Sequence, residues 1–159
     1  MDQPLTHLDA RGLARMVDVT EKTPTVRSAT AAGRVVTSRE TVALLRDDAV
    51  PKGDVLAVAR IAGIQAAKKT PELLPLAHVI GVHGAVVDLT ITDTGVDITA
   101  TVRTADRTGV EMEALTSVTV TALTVIDMVK GHDRSAHLAD VRLLEKTGGR
   151  SGTWTREDA

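Results

Sequence analysis

Apolar residues recur at helical spacing in the segment KGDVLAVARIAGIQAAKKT. The positions that share one face lie three or four residues apart: Val55, Val58, Ala62 and Ala66. Asp54 is placed to cap this helix, and Lys68 and Lys69 suit its last turn. Because proline interrupts helical hydrogen bonding, the helix is expected to end before Pro71.

Small residues are concentrated in the same segment. They permit a close approach of backbones, either against a sheet or against another subunit, and the sequence leaves both open. They are Ala57, Ala59, Ala62, Gly63, Ala66 and Ala67.

A second apolar segment is TGVEMEALTSVTVTALTVIDMVKGHD, at residues 108–133. Its many threonines and valines favour a strand by propensity. About twenty residues is too long for one strand, however, and the apolar positions again recur at helical spacing. These positions are Leu115, Val118, Ala122, Val125 and Val129. The pattern therefore predicts a buried helix of roughly residues 111–130.

Alternation of apolar and polar residues predicts the strands. In GAVVDLTITDTGVDITATVRTA the inward set is Val96, Ile98, Ala100 and Val102, with polar residues between them. A turn at Asp93-Thr94-Gly95 makes this segment a hairpin with one wet face. RVVTS (34–38) is predicted as a short strand, RETVALLRD (39–47) as a short helix capped by Ser38, and DVRLLEKTGGRSG as a strand with a glycine-rich loop.

The order strand, helix, helix, hairpin, helix, strand predicts an α+β fold with helices on one face of an antiparallel sheet. The 159 residues fit a single domain, 1–159. Residues 1–30 or so are expected to form an extended arm, and about 153–159 a flexible polar tail.

Composition excludes several classes of function. With no cysteine, the chain has no disulfide, thiolate metal site or cysteine nucleophile, and a reducing cytoplasmic location is the expectation. A net charge of -2 and a single aromatic residue, Trp154, argue against nucleic-acid binding. No run approaches the ~20 apolar residues that span a bilayer, and no signal peptide is recognisable, so no membrane partner is expected.

Charged residues interrupt the apolar segment at its far end. Asp127 and Lys130 lie three residues apart and can pair on a helix. They form either a weak surface ion pair or, if Ile126, Met128 and Val129 partly desolvate them, a proton-transfer couple.

Two carboxylates stand at the beginning of the same segment. Glu111 and Glu113 suit a helix N-terminus electrostatically, which suffices to explain at least one of them. Glu113 and Asp127 return to nearly the same face but lie ~21 Å apart along a helix. If both function, a second chain or another element must complete the pocket.

Three other places offer groups for anion binding or acid–base chemistry. Lys52 precedes a helix N-terminus, where an anion is favoured, although a solvated loop lysine has the same pattern. KTGGRSG offers Lys146 and Arg150 around two glycines, with a plain turn as the alternative. His78 is either a buried core histidine or an active-site group. The histidine pairs are five residues apart and match no metal-ligand spacing, so no metal site is expected.

Five motifs together resemble one family, the MoaC family of cyclic pyranopterin monophosphate synthases of molybdenum cofactor biosynthesis. They are LTHLD, MVDVTEK, KGDVLAVARIAGIQAAKKTPELLPLAH, TGVEMEALTSVTVTALTVIDMVKG and VRLLEKTGGRSG, in this order. The resemblance extends from about residue 5 to residue 152, and motifs of this length are specific.

The resemblance implies a ferredoxin-like α+β subunit, assembled as a homohexamer (a trimer of dimers) with active sites at subunit interfaces. It implies conversion of 3',8-cyclo-7,8-dihydroguanosine 5'-triphosphate to cyclic pyranopterin monophosphate, with release of pyrophosphate. No tightly bound cofactor is implied; Mg²⁺ accompanying the triphosphate stays open.

Site residues are carried over motif by motif. The resemblance implies catalytic roles for Lys52, His78, Asp127 and Lys130. It implies substrate contacts for a larger set, of which the last three would bind the triphosphate: Leu76, Ala77, His78, Glu111, Met112, Glu113, Arg27, Lys146 and Arg150.

One loop departs from the family pattern. PLAHV stands where the family usually has PLCHP, so Ala77 replaces a cysteine and Val79 a proline. A second hypothesis is therefore a non-catalytic oligomeric paralogue that binds a pterin, a nucleotide or partner proteins. The presence of Lys52, Asp127 and Lys130 together favours the enzyme.

Overall fold

A computed structural model describes residues 7–157 of the chain. Its elements follow one another in this order: β1 (Thr25–Val36), α1 (Arg39–Arg46), α2 (Val55–Leu73), β2 (Gly84–Ile91), β3 (Gly95–Asp106), α3 (Glu111–Val129), β4 (His137–Thr147) and β5 (Trp154–Thr155).

The strands form one antiparallel sheet in the order β2-β3-β1-β4-β5. The order of the first four strands is that of a ferredoxin-like sheet, so the predicted α+β fold class is confirmed. α3 packs across β1, β3 and β4, while α2 packs beside α3 and against β2. The core lies between this helical layer and the sheet.

The predicted hairpin is confirmed as β2 and β3. Val96, Ile98, Ala100 and Val102 are all buried. The turn ends at Gly95, which has a φ of 153°, and a Cβ there would overlap the carbonyl oxygen of Val35. Glycine is therefore required where the hairpin passes the end of β1.

Two predictions about the chain ends are wrong in part. β1 begins at Thr25, so residues 25–30 belong to a central strand and not to an arm. Its inward positions are small, as at Ala29 and Ala31, and carry a weak hydrophobic signal, but hydrogen bonding to β3 and β4 on both sides fixes the strand. Trp154 and Thr155 pair with β4, so this part of the predicted tail extends the sheet. Residues 1–6 and 158–159 lie outside the described residues.

The predicted C-terminus of α2 is also wrong. The helix continues through Pro71 to Leu73, so Lys68 and Lys69 are not in its last turn. A proline inside a helix costs about 3 kcal/mol. Packing of the preceding turn offsets this cost, because Thr70 is fully buried and its hydroxyl donates to the carbonyl of Ala66 at 3.1 Å.

The buried face of α2 matches the predicted one only in part, because Val55 and Ala66 are buried as predicted but Val58 and Ala62 are not. Its stripe runs through Val55, Ala59, Gly63 and Ala67, whereas Val58 is 45% exposed. The small residues of this stripe lie where α2 packs against α3. At the crossing, a Cβ on Gly63 would overlap the hydroxyl of Thr121 and lie 3.2 Å from the Ser117 carbonyl oxygen.

Gly63→Ala is therefore expected to lower the free energy of unfolding by roughly 1–3 kcal/mol, because the added methyl forces the two helices apart. Urea unfolding at fixed protein concentration measures the change. Gly131→Ala is the matched control, since nothing lies within 4 Å of a Cβ at that position. The double variant Gly63→Ala/Thr121→Ala lacks the Thr121 hydroxyl and should recover part of the lost free energy of unfolding. A Gly63→Ala protein as stable as wild type would contradict the close contact at the helix crossing.

α3 confirms the helix predicted for residues 111–130. Its buried positions include Val118, Ala122, Val125 and Val129. By length and composition α3 could cross a membrane, but half of its most apolar part is buried inside the protein, where it packs against the sheet and α2. Within the described residues, α3 is the central core helix of the fold.

Candidate active site

The pairing of α2 with α3 determines where the predicted site residues lie. Lys52, just before α2, contacts Asp127 near the end of α3, whereas residues 74–78, just after α2, share a cavity with the first residues of α3. The two helices are thus antiparallel, and each end of the pair brings together two of the predicted motifs.

A cavity of about 920 Å³ lies at the N-terminal end of α3. This volume suits a small organic ligand, and the lining is mainly apolar. The cavity brings together six of the predicted residues: Leu76, Ala77, His78, Glu111, Met112 and Glu113.

Glu113 supplies the cavity with a group that titrates near neutral pH. Glu113 is only 3% exposed to solvent. Burial raises the pKa of Glu113 to about 7, and the neighbouring charge of Glu111 adds to the increase. Such a carboxyl can both donate and accept a proton under physiological conditions.

His78 has its tautomer set by the chain segment that precedes β1. Its Nε2 lies 2.5 Å from the carbonyl oxygen of Val17. A carbonyl oxygen only accepts, so Nε2 carries the hydrogen, and Nδ1 is the nitrogen left to accept a proton. Of the two interpretations of His78, the structure supports a half-buried residue in a cavity wall.

The Glu111 carboxyl lies beside Gly109, two residues earlier in the chain. A Cβ on Gly109 would overlap the Glu111 carboxyl group, so this carboxyl lies against the bare backbone of Gly109. Both residues line the cavity. The carboxyl groups of Glu111 and Glu113 therefore line the same cavity. Burial raises the pKa of Glu113.

A second cavity, of about 670 Å³, is lined by basic groups at the glycine-rich loop after β4. Arg27 and Arg150, which the family resemblance implies as triphosphate contacts, both line it. Arg27 is held by hydrogen bonds from Nε to the Asp106 carbonyl at 3.2 Å and from Nη2 to the Arg107 carbonyl at 3.3 Å. Lys146 does not line this cavity. Its ammonium group donates a hydrogen bond to the hydroxyl of Ser151, and Ser151 does line the cavity.

Besides the two cavities, a cluster of three charged residues, Lys52, Asp127 and Lys130, lies at the C-terminal end of α3. Lys130 Nζ donates to Asp127 Oδ1 at 2.7 Å, and Lys52 Nζ donates to the main-chain carbonyl of Asp127 at 2.8 Å and to Oδ2 at 3.4 Å. The hydrogen bond and charge of Lys130, with those of Lys52, lower the pKa of Asp127. Asp127 is therefore ionised at neutral pH and can accept a proton or hold the two ammonium groups, but it has no proton to donate.

The predicted desolvation of this cluster is wrong for the single chain. Lys52, Asp127 and Lys130 have side chains that are 51%, 58% and 59% exposed. The neighbouring Met128 and Val129 point into the core, where they are 8% and 0% exposed, and therefore do not cover the charges.

A family model for the MoaC family matches residues 16–149. The chain belongs to the MoaC family. The matched range contains every predicted site residue of the MoaC-family pattern except Arg150.

Curated MoaC-family relatives are similar over nearly the whole chain. One from Streptomyces coelicolor, named cyclic pyranopterin monophosphate synthase, is 60% identical over 152 residues, covering 96% of this chain and 89% of the relative. One from Thermomicrobium roseum with the same name is 57% identical, covering 97% and 94%. One from Mycobacterium tuberculosis, named cyclic pyranopterin monophosphate synthase 2, is 56% identical, covering 96% and 91%.

Sequence reasoning missed one wall of the site in this MoaC-family chain. His7, Ala14, Val17, Val19 and Lys22 line the first cavity, although the segment was predicted only as an extended arm. The segment has no helical or strand periodicity, so only the motif MVDVTEK could have drawn attention to it. Within residues 7–157, no group of three or more His, Asp or Glu side chains is arranged to hold a metal ion.

Proposed function

We propose that the protein is a cyclic pyranopterin monophosphate synthase of molybdenum cofactor biosynthesis, acting in the cytoplasm. Its substrate is 3',8-cyclo-7,8-dihydroguanosine 5'-triphosphate, and its products are cyclic pyranopterin monophosphate and pyrophosphate. Membership of the MoaC family and relatives of that name at about 60% identity support the proposal.

The observation that carries the proposal is the pair of adjoining cavities. The first is mainly apolar and holds two carboxylates and His78, which suits a guanine-derived ring that must gain and lose protons. The second holds Arg27 and Arg150, which suit phosphate groups. Lys22 lines both, which supports a single ligand with its ring in the first cavity and its triphosphate in the second.

The remaining catalytic residues require a second copy of the chain. Asp127 and Lys130 lie ~21 Å along α3 from Glu113, too far to touch the same small ligand. In the proposed homohexamer, a trimer of dimers, the cluster of one subunit covers the cavities of another. Contact with the neighbour also removes water from Lys52, Asp127 and Lys130, which strengthens their electrostatic effect.

The proposed roles follow from charge and proton affinity. An oxygen of the substrate's ring system attacks the phosphorus nearest the nucleoside, a new P–O bond closes the cyclic phosphate, and the bond to the departing pyrophosphate breaks. Lys52 and Lys130 stabilise the negative charge that develops, Asp127 holds their ammonium groups in place, and Glu113 and His78 exchange protons with the ring. Mg²⁺ stays in the proposal as an ion that the triphosphate brings with it.

Turnover is tested by incubating the purified protein with the cyclised triphosphate and following pyrophosphate release. The expected result is steady release with formation of the cyclic monophosphate, by a particle that light scattering after size exclusion shows to be a hexamer. A wild-type chain that binds the triphosphate without releasing pyrophosphate would favour the non-catalytic paralogue, and a strict monomer would contradict the shared site.

A further inference from the structure

Lys22 lies at the junction of the two cavities. It contributes to the lining of both, and among the lining residues of 7–157 it alone does so. It is exposed and makes no ion pair with any described carboxylate, although Glu21 also borders the second cavity. Its ammonium group is therefore available to an anion at this junction.

The position of Lys22 is fixed through its backbone. Lys22 N donates to the Val19 carbonyl at 3.0 Å, and the Lys22 carbonyl accepts from Arg107 Nε at 2.9 Å. These two bonds tie a segment without helix or strand to the end of β3.

Arg107 is itself held in place, so it can act as an anchor. Its backbone N–H donates to Asp106 Oδ1 at 2.7 Å, and its carbonyl accepts from the guanidinium of Arg27 at 3.3 Å. One short turn after β3 thereby positions both Arg27 and the Lys22 segment. Arg107 does not line either cavity, so its effect on a ligand there is assigned to the Lys22 segment that it holds.

We propose that Lys22 binds the phosphate nearest the nucleoside end of a triphosphate substrate, and that Arg107 is a positioning residue which holds Lys22 at the cavity junction. This inference rests on the proposed function for the identity of the substrate. In a ligand that spans both cavities, the first phosphate is the group at the junction, because it joins the ring system to the rest of the triphosphate.

Binding of inorganic tripolyphosphate to the full-length protein, measured by isothermal titration calorimetry, tests the inference without requiring turnover. Lys22→Met is expected to raise Kd about tenfold, the effect of losing one charge-assisted contact. Arg107→Met should raise Kd about threefold to tenfold, and Arg107→Lys, which keeps a donor, should raise it less. Lys69→Met and Arg103→Met, which remove exposed charges away from both cavities, are the matched controls and should leave Kd within about twofold.

The double variant Lys22→Met/Arg107→Met separates positioning from general stabilisation. If Arg107 acts through Lys22, adding Arg107→Met to Lys22→Met changes Kd little further. Fully additive effects, or a Lys22→Met protein that binds tripolyphosphate as tightly as wild type, would overturn the inference. Failure of the proposed function shows separately, as absence of pyrophosphate release by wild type.

Discussion

Asp127→Asn is expected to lower kcat for pyrophosphate release at least a hundredfold, roughly the loss seen when one preorganised charge is removed from an active site. Asparagine keeps the shape of the side chain but not its charge. Lys130, 2.7 Å from Oδ1, then loses its anionic partner, while Lys52 keeps its hydrogen bond to the main-chain carbonyl. Both ammonium groups become less well placed for the leaving pyrophosphate.

The thermal stability of Asp127→Asn should change little, in contrast to its kcat. Asp127 is 58% exposed, and exposed ion pairs contribute little to folding, so Tm should change by no more than about two degrees. Asp93→Asn is the matched control, because Asp93 is also exposed and also lies 2.7 Å from a basic group, Arg46. An Asp127→Asn enzyme with the activity of Asp93→Asn would remove Asp127 from the proposed mechanism.

The fold could be predicted wherever one pattern governed a whole element. The regular alternation in β3 and the regular spacing in α3 gave correct elements, because each buries one continuous face. The predicted strand at residues 34–38 begins later than β1 does, because the inward residues Ala29 and Ala31 are small and contribute little to a hydrophobic pattern. α2 was ended too early because tertiary packing of Thr70 outweighs the local penalty of Pro71.

The candidate site was predictable to the extent that its residues lie in motifs at element ends. Glu113 and His78 are far apart in sequence, and only the antiparallel pairing of α2 with α3 brings them to one cavity. No local pattern contains that pairing. Nor does a local pattern show which charges are buried: Glu113 is covered, and Asp127 in the same helix is open to solvent.

Glu113→Gln is expected to have opposite effects on activity and on stability. Glutamine cannot exchange a proton at neutral pH, so kcat should fall about a hundredfold or more. The same change should raise the free energy of unfolding by about 2 kcal/mol near pH 8.5, because the folded protein no longer has to bury an ionised carboxylate. This figure is smaller than the full pKa difference implies, since solvent in the open cavity screens the charge.

The sign of the pH dependence follows from the two proton affinities. Burial raises the pKa of Glu113 from an ordinary 4.5 to about 7. Between these values the folded chain binds more protons than the unfolded chain, so the free energy of unfolding falls as the pH rises through this window. Glutamine resembles the protonated carboxyl. The variant should therefore differ little from wild type near pH 5 and be the more stable protein above pH 7.

Urea unfolding near pH 5 and pH 8.5, at one protein concentration, distinguishes this from a general effect of removing a carboxylate. Glu72→Gln is the matched control, because Glu72 is exposed, and its difference from wild type should be the same at both pH values. A Glu113→Gln protein whose stability relative to wild type is the same near pH 5 and near pH 8.5 would show that burial does not raise the pKa of Glu113. Without that raised pKa, Glu113 would lose its suitability as a proton donor at neutral pH, and His78 would be left to exchange protons with the ring.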